Sequence, residues 1–193
     1  KTATITIHHY IEGTTTKLAD DVVTTQKYTT TYSTKAATVD SNYELVATPT
    51  NASGTVKGNV TVTYYYKLKT ATITVHHYIQ NTTTKLADDV VTTQKYTTTY
   101  NTKAATIDSN YELVSTPTNA SGTVSGNVTV TYYYKLKTAT ITVHHYIEGT
   151  TTKLADDIIT TQKYTTTYTT SQAIVNSNYK LVSTPSNATG TVS

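Results

Sequence analysis

Apolar and polar residues alternate without a break from Thr2 to Ile11. One face of this run carries Ala3, Ile5, Ile7, His9 and Ile11, and the other carries Thr2, Thr4, Thr6, His8 and Tyr10. Strict alternation of this kind predicts a β-strand with one buried face. The run returns almost unchanged behind Lys69 and Lys137, which gives the chain a repeat period of 68 residues. A period of this size is typical of small structural units arranged in tandem.

A second alternating run, Val-Thr-Val-Thr-Tyr-Tyr-Tyr-Lys-Leu, closes a unit at residues 60–68 and again at residues 128–136. No linker separates it from the first run of the next unit. We therefore divide the chain into repeats at residues 1–68, 69–136 and 137–193. The third repeat stops before the closing run and is predicted to lack its last strand.

Between the two runs, the pattern of the first repeat is less regular. Residues 15–23 are predicted to form a strand, and residues 24–32 a short strand or an extended loop. Residues 33–42 are compatible with one helical turn. A further strand is predicted at residues 43–48, with a turn at 51–54 and the final strand at 56–68. The residues expected to be buried in that final strand are Val60, Val62, Tyr64 and Tyr66.

The composition changes this picture in one respect, which is the source of the aromatic core. The chain has 18 Tyr and no Phe, Trp, Met or Cys. Tyrosine must therefore supply the aromatic volume, and no disulfide can stabilise units of a size that is usually only marginally stable. A disordered, mucin-like stalk is the competing interpretation of a Thr-rich chain, but such stalks are rich in proline and lack alternation, whereas this chain has 3 Pro.

Charge and hydropathy exclude two classes of partner. The net charge of +3 comes from dispersed Lys without any Arg, whereas nucleic acid is usually bound by clustered Lys and Arg. No apolar run approaches the roughly 20 residues of a membrane span, so no membrane insertion is expected in this segment. Neither a signal peptide nor a sorting signal is present, and without an initiating Met the chain is expected to be a fragment of a longer protein.

The order of short motifs along each repeat resembles the MucBP (mucin-binding protein) repeat of Gram-positive surface proteins. In the first repeat these motifs are Ile5 to His9, Gly13 and Thr14 with Leu18, Tyr28 and Thr29, Tyr43 to Val46, Asn51 to Thr55, and Thr61 to Lys67. The resemblance covers the whole repeat and recurs three times. Three positions depart from the family pattern, because His9 stands in place of the usual Tyr, and Thr25 and Lys27 replace two usual glycines.

The resemblance implies a fold and a biological setting. The fold is mainly β, with a β-rich α+β fold as the variant, built as a tandem array of small β-grasp-like modules that form an elongated rod. The setting is an extracellular, cell-wall-anchored adhesin whose partners are mucin glycans or other host or surface polysaccharides.

No catalytic residue, metal ligand or cofactor is expected. Neighbouring residues on a strand point to opposite faces, so His8 and His9 cannot share an ion, and Asp20 and Asp21 cannot form a catalytic carboxylate pair. A hydrogen-bonded core His9 beside a surface His8 explains the histidine pair. Gln26, with Gln94 and Gln162, is the one candidate for a self-formed cross-link, and capping a turn is the favoured explanation.

Outward-facing tyrosines are the candidate glycan-binding residues, because their rings can stack on the apolar faces of sugars. These residues are Tyr10, Tyr65, Tyr78, Tyr133 and Tyr146. Cross-strand packing is the commoner role of such tyrosines. The alternative function is therefore a passive stalk whose repeats project a separate binding domain from the cell wall.

The missing strand of the third repeat leaves three readings of residues 137–193, ranked in this order. The segment is cut from a longer ordered chain, a strand from a neighbouring copy fills the gap by strand exchange, or the segment is held loosely.

The repeat junction predicts an elongated rod. Residues 66–70 contain neither Gly nor Pro, so one strand should run almost directly into the next and leave little freedom between repeats. A ten-residue strand spans about 33 Å, and three repeats should therefore extend over at least roughly 100 Å. Small-angle scattering of the 193-residue chain tests this, and a maximum dimension typical of a globule would refute it.

Overall fold

The computed structural model describes all of residues 1–193. The strands of the first repeat are β1 Thr2–Ile11, β2 Lys17–Lys27, β3 Thr31–Ser33, β4 Tyr43–Leu45, β5 Ser53–Thr55 and β6 Val60–Leu68. Those of the second are β7 Thr70–Ile79, β8 Lys85–Lys95, β9 Thr99–Asn101, β10 Tyr111–Leu113, β11 Ser121–Thr123 and β12 Val128–Leu136. Those of the third are β13 Thr138–Tyr146, β14 Lys153–Lys163, β15 Thr167–Thr169 and β16 Thr189–Thr191. The structure contains no helix, and therefore no membrane-spanning one.

The chain divides into two compact units. One comprises Lys1–Thr74, Val91–Asn101 and Ser121–Thr129, and the other comprises Val75–Val90, Thr102–Ala120 and Val130–Ser193. The first repeat lies wholly in the first unit, and the third repeat lies wholly in the second.

A four-stranded sheet with the order β2-β1-β6-β4 is the framework of the first repeat. Its two central strands run parallel, with Ile5 opposite Val60 and Ile11 opposite Tyr66, while β2 and β4 flank them in antiparallel orientation. The last strand therefore lies beside the first, as expected for a β-grasp-like module. The same order recurs in the second repeat as β10-β12-β7-β8. The predicted fold class, mainly β with repeated small modules, is confirmed.

The core lies on one face of this sheet and follows the alternation of the sequence. On β1 the residues Ala3, Ile5, Ile7 and His9 are buried, and on β6 so are Val62, Tyr64 and Tyr66, while Val60 is half-buried. The ribbon of β3 and β5 adds Tyr32, Ala52 and Val56 from the chain around it.

Tyrosine and glycine are matched across that ribbon. Tyr32 pairs with Gly54, and a Cβ at Gly54 would lie 3.2 Å from the Tyr32 ring. The close approach of the ring therefore requires a residue without a side chain at this position.

Hydroxyl groups of the core tyrosines bind the irregular segment that crosses the sheet. The Tyr64 hydroxyl lies 2.8 Å from Oγ1 of Thr34, and the Tyr66 hydroxyl accepts the backbone N–H of Ala37 at 2.9 Å. Residues 34–42 form no regular structure. Their backbone is thus held by side chains of the sheet, which satisfies polar groups that would otherwise be buried without partners.

A buried histidine completes this network. His9 is 2% exposed, its ring stacks on Tyr64 at 5.5 Å, and a 3.1 Å hydrogen bond joins its Nδ1 to the Tyr66 hydroxyl. Burial lowers the pKa of His9 below its ordinary value, because the charged imidazolium is poorly solvated there. The prediction of a hydrogen-bonded core histidine is confirmed.

Four details of the predicted elements are wrong. The second strand continues past residue 23 to Lys27, because β1 extends the antiparallel ladder as far as Thr2 opposite Lys27. Residues 33–42 contain no helical turn. The strand predicted at residues 43–48 ends at Leu45, and part of the turn predicted at 51–54 belongs to β5. The final strand begins at Val60, because Val56 is buried in the loop before it.

The third repeat has a smaller sheet, in which β13 pairs only with β14. The inward residues of β13 are half-buried, whereas those of β1 are buried. Residues 179–181, the counterpart of β4, form no strand, and Tyr179 and Leu181 are 44% and 54% exposed. In the first repeat β4 pairs with β6 alone, so this edge depends on the closing strand. Strand exchange with a neighbouring copy stays a prediction.

Removing the buried hydroxyl at Tyr66 and at its counterpart Tyr134 should destabilise the protein. The double variant Tyr66→Phe/Tyr134→Phe leaves the histidine nitrogen and the N–H of Ala37 and Ala105 without their partner, which should cost about 1–3 kcal/mol per repeat. Urea unfolding followed by circular dichroism measures the loss. The matched control is Tyr65→Phe/Tyr133→Phe, which changes exposed residues, and equal midpoints for the two variants would contradict the assignment.

Mild acid should also weaken the fold. The pKa of His9 and of His77 is lowered by burial, and this effect outweighs the opposing attraction of Asp21 and Asp89. The unfolded chain takes up these protons near pH 6.5 and the folded chain only at lower pH. The free energy of unfolding should therefore be fully retained above pH 6.5 and fall as the pH drops toward the folded pKa.

Urea midpoints at pH 7.5, 6.0 and 5.0 measure this loss. The decline should flatten in His9→Gln/His77→Gln and persist in the surface control His8→Gln/His76→Gln. A decline of equal size in both variants would show that other groups cause it.

Candidate functional site

The outward face of the first sheet brings two of the predicted site residues together. Tyr10 and Tyr65 are opposite each other in the parallel ladder of β1 and β6, so their side chains emerge side by side. Tyr65 is 43% exposed and Tyr10 is half-buried. We call Tyr10 and Tyr65, with their counterparts Tyr78 and Tyr133 in the second repeat, the tyrosine face.

A chain of polar contacts supports one side of this face. The His8 ring stacks on Tyr10 with centroids 5.4 Å apart, and its Nδ1 lies 2.9 Å from Oδ1 of Asp21. The other carboxylate oxygen of Asp21 accepts a 2.7 Å hydrogen bond from Nζ of Lys17. The imidazole is therefore oriented through Nδ1, which leaves Nε2 as the ring nitrogen available to a ligand.

Irregularities in β2 make this arrangement possible. Ile7 lies opposite Val22, but His9 lies opposite Ala19, so two residues of β2, Asp20 and Asp21, stand against the single His8. This is a β-bulge, and it turns the Asp21 side chain toward the imidazole while Asp20 stays exposed. A second register shift follows before Tyr10 opposite Lys17. On a regular strand, residues four apart would be about 13 Å apart, and the shifts help Lys17 to reach Asp21.

The carboxylate at the centre of these contacts is held in its charged form. The pKa of Asp21 is lowered below its ordinary value, first by the hydrogen bond from Lys17 and then by His8. In the second repeat the pKa of Asp89 is lowered in the same direction, first by His76 and then by Lys85. Sequence reasoning missed this triad, although the adjacent carboxylates that interrupt the alternation of β2 were its visible signal.

The second repeat repeats the tyrosine face and adds a groove beside it. His76 stacks on the half-buried Tyr78 at 5.4 Å, and Tyr133 is 43% exposed. An open groove of about 800 Å³ is lined by Gln80, Asn81, Thr82, Thr83 and Tyr133. An exposed aromatic ring next to amides and hydroxyls suits a flat, hydroxyl-rich ligand.

The third repeat presents only part of this arrangement. Tyr146 is 44% exposed, and His144 stacks on it at 5.6 Å with its Nδ1 2.9 Å from Asp157. The chain contains no counterpart of Tyr65 in this repeat. No group of three or more His, Asp or Glu side chains in the structure is arranged to hold a metal ion.

The fold and this face define the chain as a tandem array of small all-β modules with an aromatic outer surface. The chain belongs to the MucBP domain family, which matches residues 4–67, 72–135 and 140–193. The family membership predicted from the sequence is confirmed. The comparison with curated protein sequences finds no match.

Solved structures of surface-protein repeats are similar to the chain at low sequence identity. The type 2 repeat of the mucus binding protein MUB from Lactobacillus reuteri is 16% identical and covers 70% of this chain and 100% of its own, with a TM-score of 0.28. Mub-RV is 17% identical over 70% of this chain and 99% of its own, with a TM-score of 0.27. Domains 3-4 of the streptococcal high identity repeats in tandem (SHIRT), from a cell surface protein, are 10% identical over 70% and 98%, with a TM-score of 0.31.

Proposed function

We propose that the chain is the repeat region of a bacterial cell-surface adhesin that attaches to mucin or other glycans through its tyrosine faces. The observation that carries the proposal is the adjacent pair Tyr10 and Tyr65, exposed beside an imidazole that Asp21 holds in place. Membership of the MucBP domain family supports it. The protein acts outside the cell, anchored to the wall, and has no catalytic role.

Binding at one face uses stacking and hydrogen bonds. The exposed Tyr65 ring packs against the apolar C–H face of a sugar, and the half-buried Tyr10 supports it from the neighbouring strand. Nε2 of His8 and the hydroxyl of Thr63, which lies opposite His8 in the ladder, bind sugar hydroxyls.

A single face of this kind binds weakly, because it is open and small. Repeats at residues 1–68, 69–136 and 137–193 raise retention through effective concentration, with Tyr146 of the third repeat as the weakest contributor.

A spacer function is the second candidate, and the repeat junction favours it. β6 ends at Leu68 and β7 begins at Thr70, so one residue separates them. The N–H of that residue, Lys69, donates to the carbonyl of Asn42 at 2.9 Å. A junction fixed by a hydrogen bond suits repeats that hold a distant binding domain away from the wall.

Binding of the full chain to immobilised mucin separates the two candidates. Tyr65→Ala/Tyr133→Ala should lower retention by roughly tenfold to a hundredfold, because it removes the exposed ring from two of the linked sites. The matched control is Tyr179→Ala, which removes a tyrosine of similar exposure that lies off the tyrosine face.

Circular dichroism confirms that both variants keep the fold. If Tyr65→Ala/Tyr133→Ala is retained as well as the parent chain, the tyrosine face is not the binding site. The spacer function would then account for the repeats.

A further inference from the structure

The turn that follows the first strand of each repeat differs between copies. It reads Glu12-Gly13 in the first repeat, Gln80-Asn81 in the second and Glu148-Gly149 in the third. The second residue of each pair has a positive φ, of 73° at Gly13, 61° at Asn81 and 71° at Gly149. The N–H three residues after the strand end closes the turn in the first two repeats, from Thr14 to Ile11 at 3.0 Å and from Thr82 to Ile79 at 3.1 Å.

Backbone geometry explains only one of the two substitutions. A turn with a positive φ at its third residue favours Gly or Asn, so Asn81 is a structural equivalent of Gly13. The residue before it carries no such requirement. The change from Glu12 to Gln80 therefore alters charge without altering the turn.

The changed side chain lies at the tyrosine face. The backbone N–H of Gln80 donates to the carbonyl of Tyr134 at 2.8 Å, and that of Glu12 donates to the carbonyl of Tyr66 at the same distance. In the second repeat Gln80 and Asn81 line the groove together with Tyr133. The hydroxyl of Thr82 is engaged within the turn, where it donates to the carbonyl of Ile79 at 3.0 Å. The two amides are therefore the exposed donors beside the ring.

Other charges near the face are balanced identically in the two repeats. Lys17 pairs with Asp21, and Lys85 with Asp89, both at 2.7 Å. The pairs of Lys67 with Glu44 and of Lys135 with Glu112 lie at 3.5 Å and 3.3 Å.

One further charge differs between the repeats but lies far from the ring. Lys57 is replaced by Ser125 ahead of the closing strand. About 17 Å of strand separates that end from Tyr65, which exceeds the Debye length of about 8 Å at physiological salt. The difference at the tyrosine face reduces to a single carboxylate.

We infer that the second repeat accepts anionic sugars, such as sulfated residues, which the Glu12 carboxylate of the first repeat rejects. The inference rests on the proposed function, because it assigns a ligand preference to the same face. The amides of Gln80 and Asn81 donate hydrogen bonds to an anionic substituent, whereas a carboxylate in that place repels it. Near-identical repeats thus differ in the glycans they bind.

The isosteric exchanges Gln80→Glu and Glu12→Gln test the inference in the full chain. The probes are purified mucin and the same mucin after chemical desulfation. Gln80→Glu should lose about fivefold in retention on the sulfated mucin, the effect expected of two nearby unit charges in water, and should be unchanged on the desulfated one. Glu12→Gln should gain on the sulfated mucin alone. Both effects should shrink in 0.5 M salt, where the Debye length is only about 4 Å.

The outcomes separate the inference from the function on which it rests. If both exchanges match the parent chain on both mucins while Tyr65→Ala/Tyr133→Ala loses retention, the ligand preference is overturned and the glycan-binding face stands. If the parent chain is retained on neither mucin, or if the tyrosine variant is retained as well as the parent, the proposed function and the inference both fail.

Discussion

The parallel pairing of β1 with β6 determines both faces of the repeat. These strands come from opposite ends of the unit, with Ile5 opposite Val60 at the start of the ladder. On the inner side the pairing brings His9 to Tyr64 and Tyr66, and on the outer side it brings Tyr10 to Tyr65. β13 lacks such a neighbour, and its inward residues are only half-buried. The core and the candidate binding face thus have a common origin in one strand pair.

Alternation made the central strands predictable, because a buried face imposes a period of two on the sequence. The edge strand β2 was predicted too short because Val22 and Val23 are 46% and 62% exposed and the residues after them are polar on both sides. Exposed residues leave no periodic signal, and backbone pairing alone extends that strand. The bulge that sets Asp21 against His8 escaped for the same reason, since it depends on register and not on side-chain polarity.

The turn after β2 is a further feature that composition conceals. Thr29 has a φ of 66°, and the N–H of Thr30 donates to the carbonyl of Lys27 at 3.3 Å. A β-branched residue in this conformation is uncommon, and glycine is the usual choice. The same positive φ at Thr97 and Thr165 shows that all three copies tolerate this strain, which the surrounding hydrogen bonds impose.

A core whose aromatic residues are all tyrosine must satisfy a hydroxyl for every ring that it buries. The repeat meets this requirement by placing an irregular segment over the sheet, where Thr34 and Ala37 bind the hydroxyls of Tyr64 and Tyr66. These contacts reach across the module and leave little room for change inside. Copies therefore differ in the core only by exchanges such as Ile7 for Val75, whereas the turn at Glu12 and Gln80 has no partner that fixes its charge. Variation in ligand preference is thus confined to the turns, where the fold constrains the backbone and leaves the side chain free.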